Sequence, residues 1–559
     1  GRAGLIVASQ PSSRLIMAAV ATTAAGVALV ALAGGTRPDT DRAARTGVVL
    51  GVAAATTLHA ATATRGLIWP EGTVTTVASL AVVLAVLAVL VPAARGLAAP
   101  SAADDAASSA AWPWWGLAPL LVLTAVISGV PGRVAIATGW EPSVVAVTIA
   151  LGQAGAVVAA LLAARVGGFR AGGAGAVLVL IGTVLGSSPT GWPGVVGQVS
   201  LAIGLGAILG SDPPRSGAPG LRGVRRRALC SAGALLAALG AIAVYYLAYA
   251  LPMPGDNRVV LLAVGALGMV LGGATAWTSR ARTVEPTVDV RQVVRIAAAL
   301  LLVVTLTGVG GGIEQRSGVL QADGDLRVAT YNVNAGFDAD GRFDPLRQSR
   351  VLREHAPDVV VLNEVDRGWL ATGGHDALPL LAAELGLPHV RFGGTGDELV
   401  GNALLSRFPI TEFATEQLPR GSDPMPRGAI AAVLDLHDGD SLGVVGTQLS
   451  QEDERGGTRL PQARAVAATV ARLRERQVPT VVLGDLHTQQ DATDLASFGS
   501  LVDNVLPAGT VTYPARAPSS LHSHVLASRE LRRLRLDIPT VDASSHLPVI
   551  VTFRRVAAL

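Results

Sequence analysis

Lysine is missing altogether from the 559 residues, so all 44 strongly basic side chains are arginines. Cysteine occurs once, as Cys230, which excludes an intrachain disulfide and any metal site built from thiolates. Charge of either sign is scarce. Asp, Glu, Lys and Arg make up 15% of the chain, and the net charge is only +3. Aromatics are 4% of residues, and no basic stripe interleaved with them exists, so the signature of a nucleic-acid binder is missing. Hydrocarbon takes the place of charge. Half of all residues are hydrophobic and the mean hydropathy is +0.47, too apolar for an ordinary water-soluble enzyme.

The apolar residues are concentrated before residue 313. Ten stretches there approach the length needed to cross about 30 Å of hydrocarbon. They centre on 15–35, 47–64, 73–93, 115–130, 143–164, 171–187, 193–210, 229–251, 259–278 and 292–312. Arginine alternates between the connecting segments. Those after the first, third, fifth, seventh and ninth stretches hold Arg37, Arg42 and Arg45; Arg95; Arg165 and Arg170; Arg215, Arg222, Arg225, Arg226 and Arg227; and Arg280, Arg282 and Arg291. The intervening segments hold only Arg65, Arg133 and Arg258. Positive charge favours the cytoplasmic side, so the last span is expected to run outward. The part that follows would then lie outside the cytoplasm of a multi-pass cell-membrane protein. His59 falls inside the second stretch, where a hydrogen-bonded neutral imidazole is the expected state. Gln153 and Gln198 are expected to join helices to one another.

Residues 1–312 therefore read as a helical membrane domain and 313–325 as a short polar linker. Residues 326–559 read as a second domain of alternating strands and helices. A dozen linker residues hold that domain close to the bilayer, which favours a membrane-associated substrate. Strand patterns fall at 326–333, 358–363 and 479–484, and helix patterns at 344–356, 376–386 and 459–476. Several apolar runs stop at polar residues: LRVATYNVNAG from Leu326, VVVLNEVD from Val359, GNALLSRFPI from Gly401, VVGTQLS from Val444, TVVLGDLHT from Thr480, HSHVLAS from His522 and SSHLPVIV from Ser544. Such a series lines one rim of a β-core with polar side chains.

In order and spacing these segments resemble the endonuclease/exonuclease/phosphatase superfamily, metal-dependent phosphoesterases with a DNase I-like fold. The resemblance implies an α/β two-sheet sandwich after the helical membrane part, and a divalent cation, Mg²⁺ in most members. It implies Glu364 as the metal ligand, with Asn332, Asp485 and His546 catalytic. Asn402, Gln448 and His487 then stand in substrate-binding positions. Several positions depart from the pattern. Gln448 replaces the histidine of Thr-His, His487 the asparagine of GDxN, and Ser545 the aspartate of SDH. Ser523 stands where an aspartate would orient the catalytic histidine, and Asn334 where many nucleases carry an acid.

Two readings stay open on these residues. One is a rebuilt site in which His487, His522, His524 and His546 join Glu364 and Asp485 around Mn²⁺ or Zn²⁺. The other is a degenerate module that binds lipid headgroups or partner proteins. His355, His375, His389 and His437 are expected to be surface or hydrogen-bonded side chains. Arg532, Arg533 and Arg535 form a short cluster suited to lipid headgroups. Many spans followed by such a domain are also similar to eukaryotic GPI-lipid remodelling proteins. That likeness implies a phospholipid or phosphoglycolipid substrate on the outer leaflet.

Overall fold

The computed structural model describes residues 11–36, 40–64, 110–188, 191–211, 221–249, 257–279, 325–421, 423, 425–436, 440–451, 457–490 and 492–555. The chain divides into two compact units, Gly1–Leu247 with Pro254–Gly312, and Ala248–Met253 with Ile313–Leu559.

The first unit is helical. Its elements are α1 (Pro11–Gly35), α2 (Asp41–Ala61), α3 (Leu117–Leu123), α4 (Pro131–Thr138), α5 (Pro142–Val166), α6 (Gly168–Gly186), α7 (Gly191–Gly210), α8 (Leu221–Leu247) and α9 (Arg258–Thr278). Among the described residues, six helical segments are long and apolar enough to cross a membrane. Their outward faces stay apolar: Leu236 is 69% exposed and Trp277 70%, a surface that fits lipid and not water. Small residues set the closest contact. A Cβ on Gly206 or Gly210 of α7 would lie 2.0 or 2.1 Å from the carbonyl oxygens of Ala156 and Ala160 on α5. This Gly-x-x-x-Gly pair therefore works as a packing face.

Three expectations change here. The span at 115–130 is a broken segment: α3 follows a 3₁₀ turn at Trp112–Gly116, a π turn covers Thr124–Ser128, and α4 restarts with Pro131 in its first turn. Arg133, expected in a loop, is fully buried in α4 and donates from Nε to the Val126 carbonyl at 2.7 Å. Arg45 and Arg227 are also helical and buried. Arg45 bonds the Leu209 and Ser211 carbonyls and pairs with Asp41 at 3.2 Å, while Arg227 bonds the Ala33 and Thr36 carbonyls. Each closes a helix C-terminus whose last carbonyls lack helical partners. His59 lies in the last turn of α2 and not mid-span. The stretches 73–93 and 292–312, and the linker up to residue 324, lie outside the described residues.

The second unit is the expected two-sheet sandwich. Its elements are β1 (Leu326–Asn332), α10 (Pro345–Arg353), β2 (Val359–Asp366), α11 (Leu378–Leu385), β3 (His389–Gly396), β4 (Val400–Ser406), β5 (Ile410–Gln417), β6 (Gly428–Asp435), β7 (Ser441–Gln448), α12 (Arg459–Glu475), β8 (Thr480–Asp485), β9 (Asp503–Asn504), β10 (Ser523–Ala527), β11 (Leu531–Asp537) and β12 (Val549–Arg555). One sheet runs β11-β12-β1-β2-β4-β3 and the other β5-β6-β7-β8-β10-β9. Val328, Val359, Val361, Val444, Val481, Val525 and Val551 fill the space between them. The apolar stripe of α12, with Val466 and Val470, covers the outer face of the second sheet against Val445 and Val482. Asp344 starts α10 by accepting from the Arg347 amide, with Pro345 in the first turn. Arg532, Arg533 and Arg535 lie exposed on β11, an edge strand, where charge also blocks pairing with other chains.

Register explains why polar residues gather at one rim. In the parallel pair β1–β2 Asn332 meets Asn363, and in the parallel pair β7–β8 Gln448 meets Asp485. Antiparallel β10 sets Ser523 opposite Asp485.

Candidate active site

At this rim one amide holds two carboxylates together. Asn332 is fully buried, and its Nδ2 donates to Glu364 Oε1 at 2.9 Å and to Asp485 Oδ2 at 2.8 Å. Its Oδ1 accepts from the Asn334 amide at 3.0 Å, so the group is fully satisfied. Gln448 Nε2 adds a second donor to Glu364 Oε1 at 2.7 Å. The β2–β4 register shifts between Leu362 and Val365, and inside that irregularity Glu364 takes φ +52°. The bulge turns Glu364 toward the opening while Asn363 and Val365 stay buried. Asn334 and His487 also have positive φ, +46° and +49°. Strained backbone of this kind gathers where geometry is held for a function.

The imidazoles stand on the other side of Asp485. His487 Nε2 lies 3.4 Å and His546 Nδ1 3.7 Å from Asp485 Oδ2. His487 Nδ1 lies 2.9 Å from the Leu449 carbonyl, a contact that requires a proton on Nδ1 and leaves Nε2 facing the carboxylate. Tyr513 stacks on His522 with centroids 4.4 Å apart and tilts against His546 at 4.7 Å. Burial works against the Asp485 carboxylate, but His487, His546, the Asn332 amide and His522 outweigh it and hold its pKa down at about 2. Burial pushes His522 down to about 4 and lowers His546 as well, although Asp485 pulls both upward. At neutral pH the centre therefore holds an ionised carboxylate and two neutral imidazoles.

A cleft of about 240 Å³ opens beside Glu364, with Asn402, Gln448, Trp369, Thr372 and Arg427 in its walls. Asn402 is 2% exposed and both ends of its amide are engaged: Oδ1 accepts from Asn363 and Nδ2 donates to the Gly428 carbonyl. Its hydrogen bonds hold β2, β4 and β6 in place at the cleft wall.

All seven residues singled out from the sequence, Asn332, Glu364, Asn402, Gln448, Asp485, His487 and His546, lie at this rim. His524 does not join the other three histidines. It is fully buried against the Thr488 carbonyl at 2.9 Å. His546 faces a carboxylate despite serine at 523 and 545, because Asp485 stands where β8, β10 and the approach to β12 meet. His375 is buried and stacked on Phe343 at 4.1 Å. Tyr513, Trp369, Thr372 and Arg427 were not singled out from the sequence. For Tyr513 the only local signal was an aromatic in a loop, TVTYPA.

Residues 329–546 match the profile described as the Endonuclease/Exonuclease/phosphatase family. No curated protein matches the chain. Among solved structures it is similar to an endonuclease/exonuclease/phosphatase from Beutenbergia cavernae DSM 12333, at 26% identity over 41% of this chain and 72% of that one, TM-score 0.35. A mannosyl-6-phosphatase of Bacteroides thetaiotaomicron VPI-5482 is 18% identical over 41% of this chain and 99% of its own, TM-score 0.35. The catalytic domain of human Nocturnin with bound sulfate is 17% identical over 42% and 94%, TM-score 0.34. After a helical region with six candidate membrane spans, the chain thus carries a domain of the Endonuclease/Exonuclease/phosphatase family.

Proposed function

We propose that this domain is a divalent-cation-dependent phosphoesterase that hydrolyses a phospholipid or phosphoglycolipid at the extracytoplasmic face of the membrane. The observation that carries the reading is the single Asn332 amide joining Glu364 to Asp485, with His546 beside that second carboxylate. The donor set fits a cation. Glu364 opens toward the cleft, and Asp485 Oδ1 is buried with no hydrogen-bond partner, a state that a positive ion relieves. Glu364 would hold Mg²⁺ or Mn²⁺, which when bound would polarise a phosphoryl oxygen and offset developing charge.

The protein's own groups supply the rest. His546, neutral at neutral pH, accepts the proton of an attacking water, and ionised Asp485 stabilises the imidazolium that forms. Their 3.7 Å separation is of the kind that tightens when substrate is bound. Asn332 keeps the two carboxylates in register. Gln448 and Arg427 offer N–H donors to a phosphate in the cleft. The alternating arginines support the extracytoplasmic placement, and the short linker supports a lipid-borne substrate.

A second reading, a headgroup-binding module without turnover, draws on Gln448. Together with Asn332 it gives Glu364 Oε1 two amide donors, so that carboxylate is stabilised without an ion. The full chain, purified in detergent and returned to vesicles, tests the choice with phosphomonoester and phosphodiester lipids in Mg²⁺, Mn²⁺ or Zn²⁺. Metal-dependent product release supports the enzyme. Headgroup binding without release supports the module.

A further inference from the structure

We propose that Asp485, His487 and His522 form a two-histidine, one-carboxylate metal centre for a zinc-class divalent cation, centred on the imidazoles and not on Glu364. Each residue offers one ligand atom, and these atoms lie within 4.8 Å of one another. The pair at 3.4 Å, Asp485 Oδ2 and His487 Nε2, has the spacing of two ligands on one tetrahedral ion, since bonds of about 2.1 Å at tetrahedral angles place their ends about 3.4 Å apart.

Contact geometry points the same way. His487 Nδ1 is committed to the Leu449 carbonyl, which leaves Nε2 as the ring nitrogen that faces the Asp485 carboxylate oxygen. A backbone carbonyl on the far nitrogen is also how proteins fix the tautomer of a metal-bound histidine. Asp485 Oδ1 and the Nδ1 atoms of His522 and His546 are buried without hydrogen-bond partners. Tyr513, stacked on His522, fixes that ring's plane. One carboxylate and two imidazole nitrogens make a softer donor set than a hard Mg²⁺ ion selects. The inference rests on the phosphoesterase reading only for what the ion would do, not for its binding.

The test is cobalt titration of the chelator-stripped full chain in detergent, read by visible absorption and by competition with Zn²⁺ and Mg²⁺. One Co²⁺ per chain is expected, displaced by equimolar Zn²⁺ but not by a hundredfold excess of Mg²⁺. H487Q and H522Q should each weaken it at least tenfold, and E364Q less than threefold. Loading the unaltered protein with Cu²⁺ and recording electron spin-echo modulation adds a test independent of variant folding, with two imidazoles expected in the coordination sphere. No stoichiometric Co²⁺, equal competition by Mg²⁺, loss in E364Q but not in the histidine variants, or fewer than two imidazoles on Cu²⁺ would each overturn the proposal. Ion bound at the histidines without ester hydrolysis would leave this centre standing and remove the phosphoesterase reading. Hydrolysis supported by Mg²⁺ with no Co²⁺ at the histidines would do the reverse.

Discussion

Replacing Asn332 by aspartate probes the link between the two carboxylates most sharply. The change keeps the shape but puts a third carboxylate where Nδ2 now lies 2.9 Å from Glu364 and 2.8 Å from Asp485. At an effective dielectric constant near 20, two unit charges about 3 Å apart repel by about 5 kcal/mol. Binding a proton is the cheaper response. Keeping one carboxyl neutral at pH 7 against an ordinary pKa of about 3.9 costs about 4 kcal/mol, which therefore limits the penalty. The group that takes the proton has its folded-state pKa raised above the unfolded value. The destabilisation is thus absent below about pH 4 and grows by about 1.4 kcal/mol per pH unit above it. Hydrogen–deuterium exchange of peptides from β1, β2 and β8, measured on the full chain in detergent, reads this locally. In metal-free buffer at pH 7, Asn332→Asp should speed exchange by about 10³-fold relative to the native protein, with the gap closing toward pH 4 or on adding a divalent cation. Exchange that is unchanged at pH 7, or that differs equally at both pH values, would refute the reasoning.

Val360→Asp places a charge in a fully buried position on central strand β2, so folding of the second unit should fail and its strand amides exchange unprotected; native-like protection would contradict the strand's place in the core. On the proposed topology, a phosphatase fused after residue 559 should be active, and a fluorescent protein fused there dark in an exporting bacterial host; the reverse pattern would contradict that proposal. The acid limb of any hydrolytic pH profile should lie below pH 6.5, because burial lowers the His546 pKa and the neutral ring is the base. A limb at or above that value would assign the titration to another group.

Much of the second unit was legible because its strands are short apolar runs with polar ends. A strand expected at 326–333 is found at Leu326–Asn332, and a helix expected at 459–476 at Arg459–Glu475. Membership of the rim followed from the same pattern, since the last residues of parallel strands point to one edge. What sequence could not give was which rim residues touch. Serine at 523 and 545 suggested a catalytic histidine without a carboxylate, but strand order brings Asp485 to His546 across 61 positions of sequence. His524 was grouped with His522, but His522 lies just before β10 while His524 lies within it and is held at the Thr488 carbonyl. In the helical unit, hydropathy located six stretches that form candidate spans among the described residues, but charge counting placed Arg45, Arg133 and Arg227 in loops. Their burial follows from helix ends and a break at Gly129, neither of which an average over a window reveals.

The measurement that tests the central claim most directly is a double-mutant cycle on lipid phosphoester hydrolysis by the reconstituted full chain, with Asp485→Asn, His546→Ala and both together. If Asp485 and His546 act as one unit, each single change should lower kcat by about 10³-fold or more, and the pair should cost little beyond either alone. No turnover by the unaltered protein with any divalent cation, or losses that multiply in the double variant, would contradict the account.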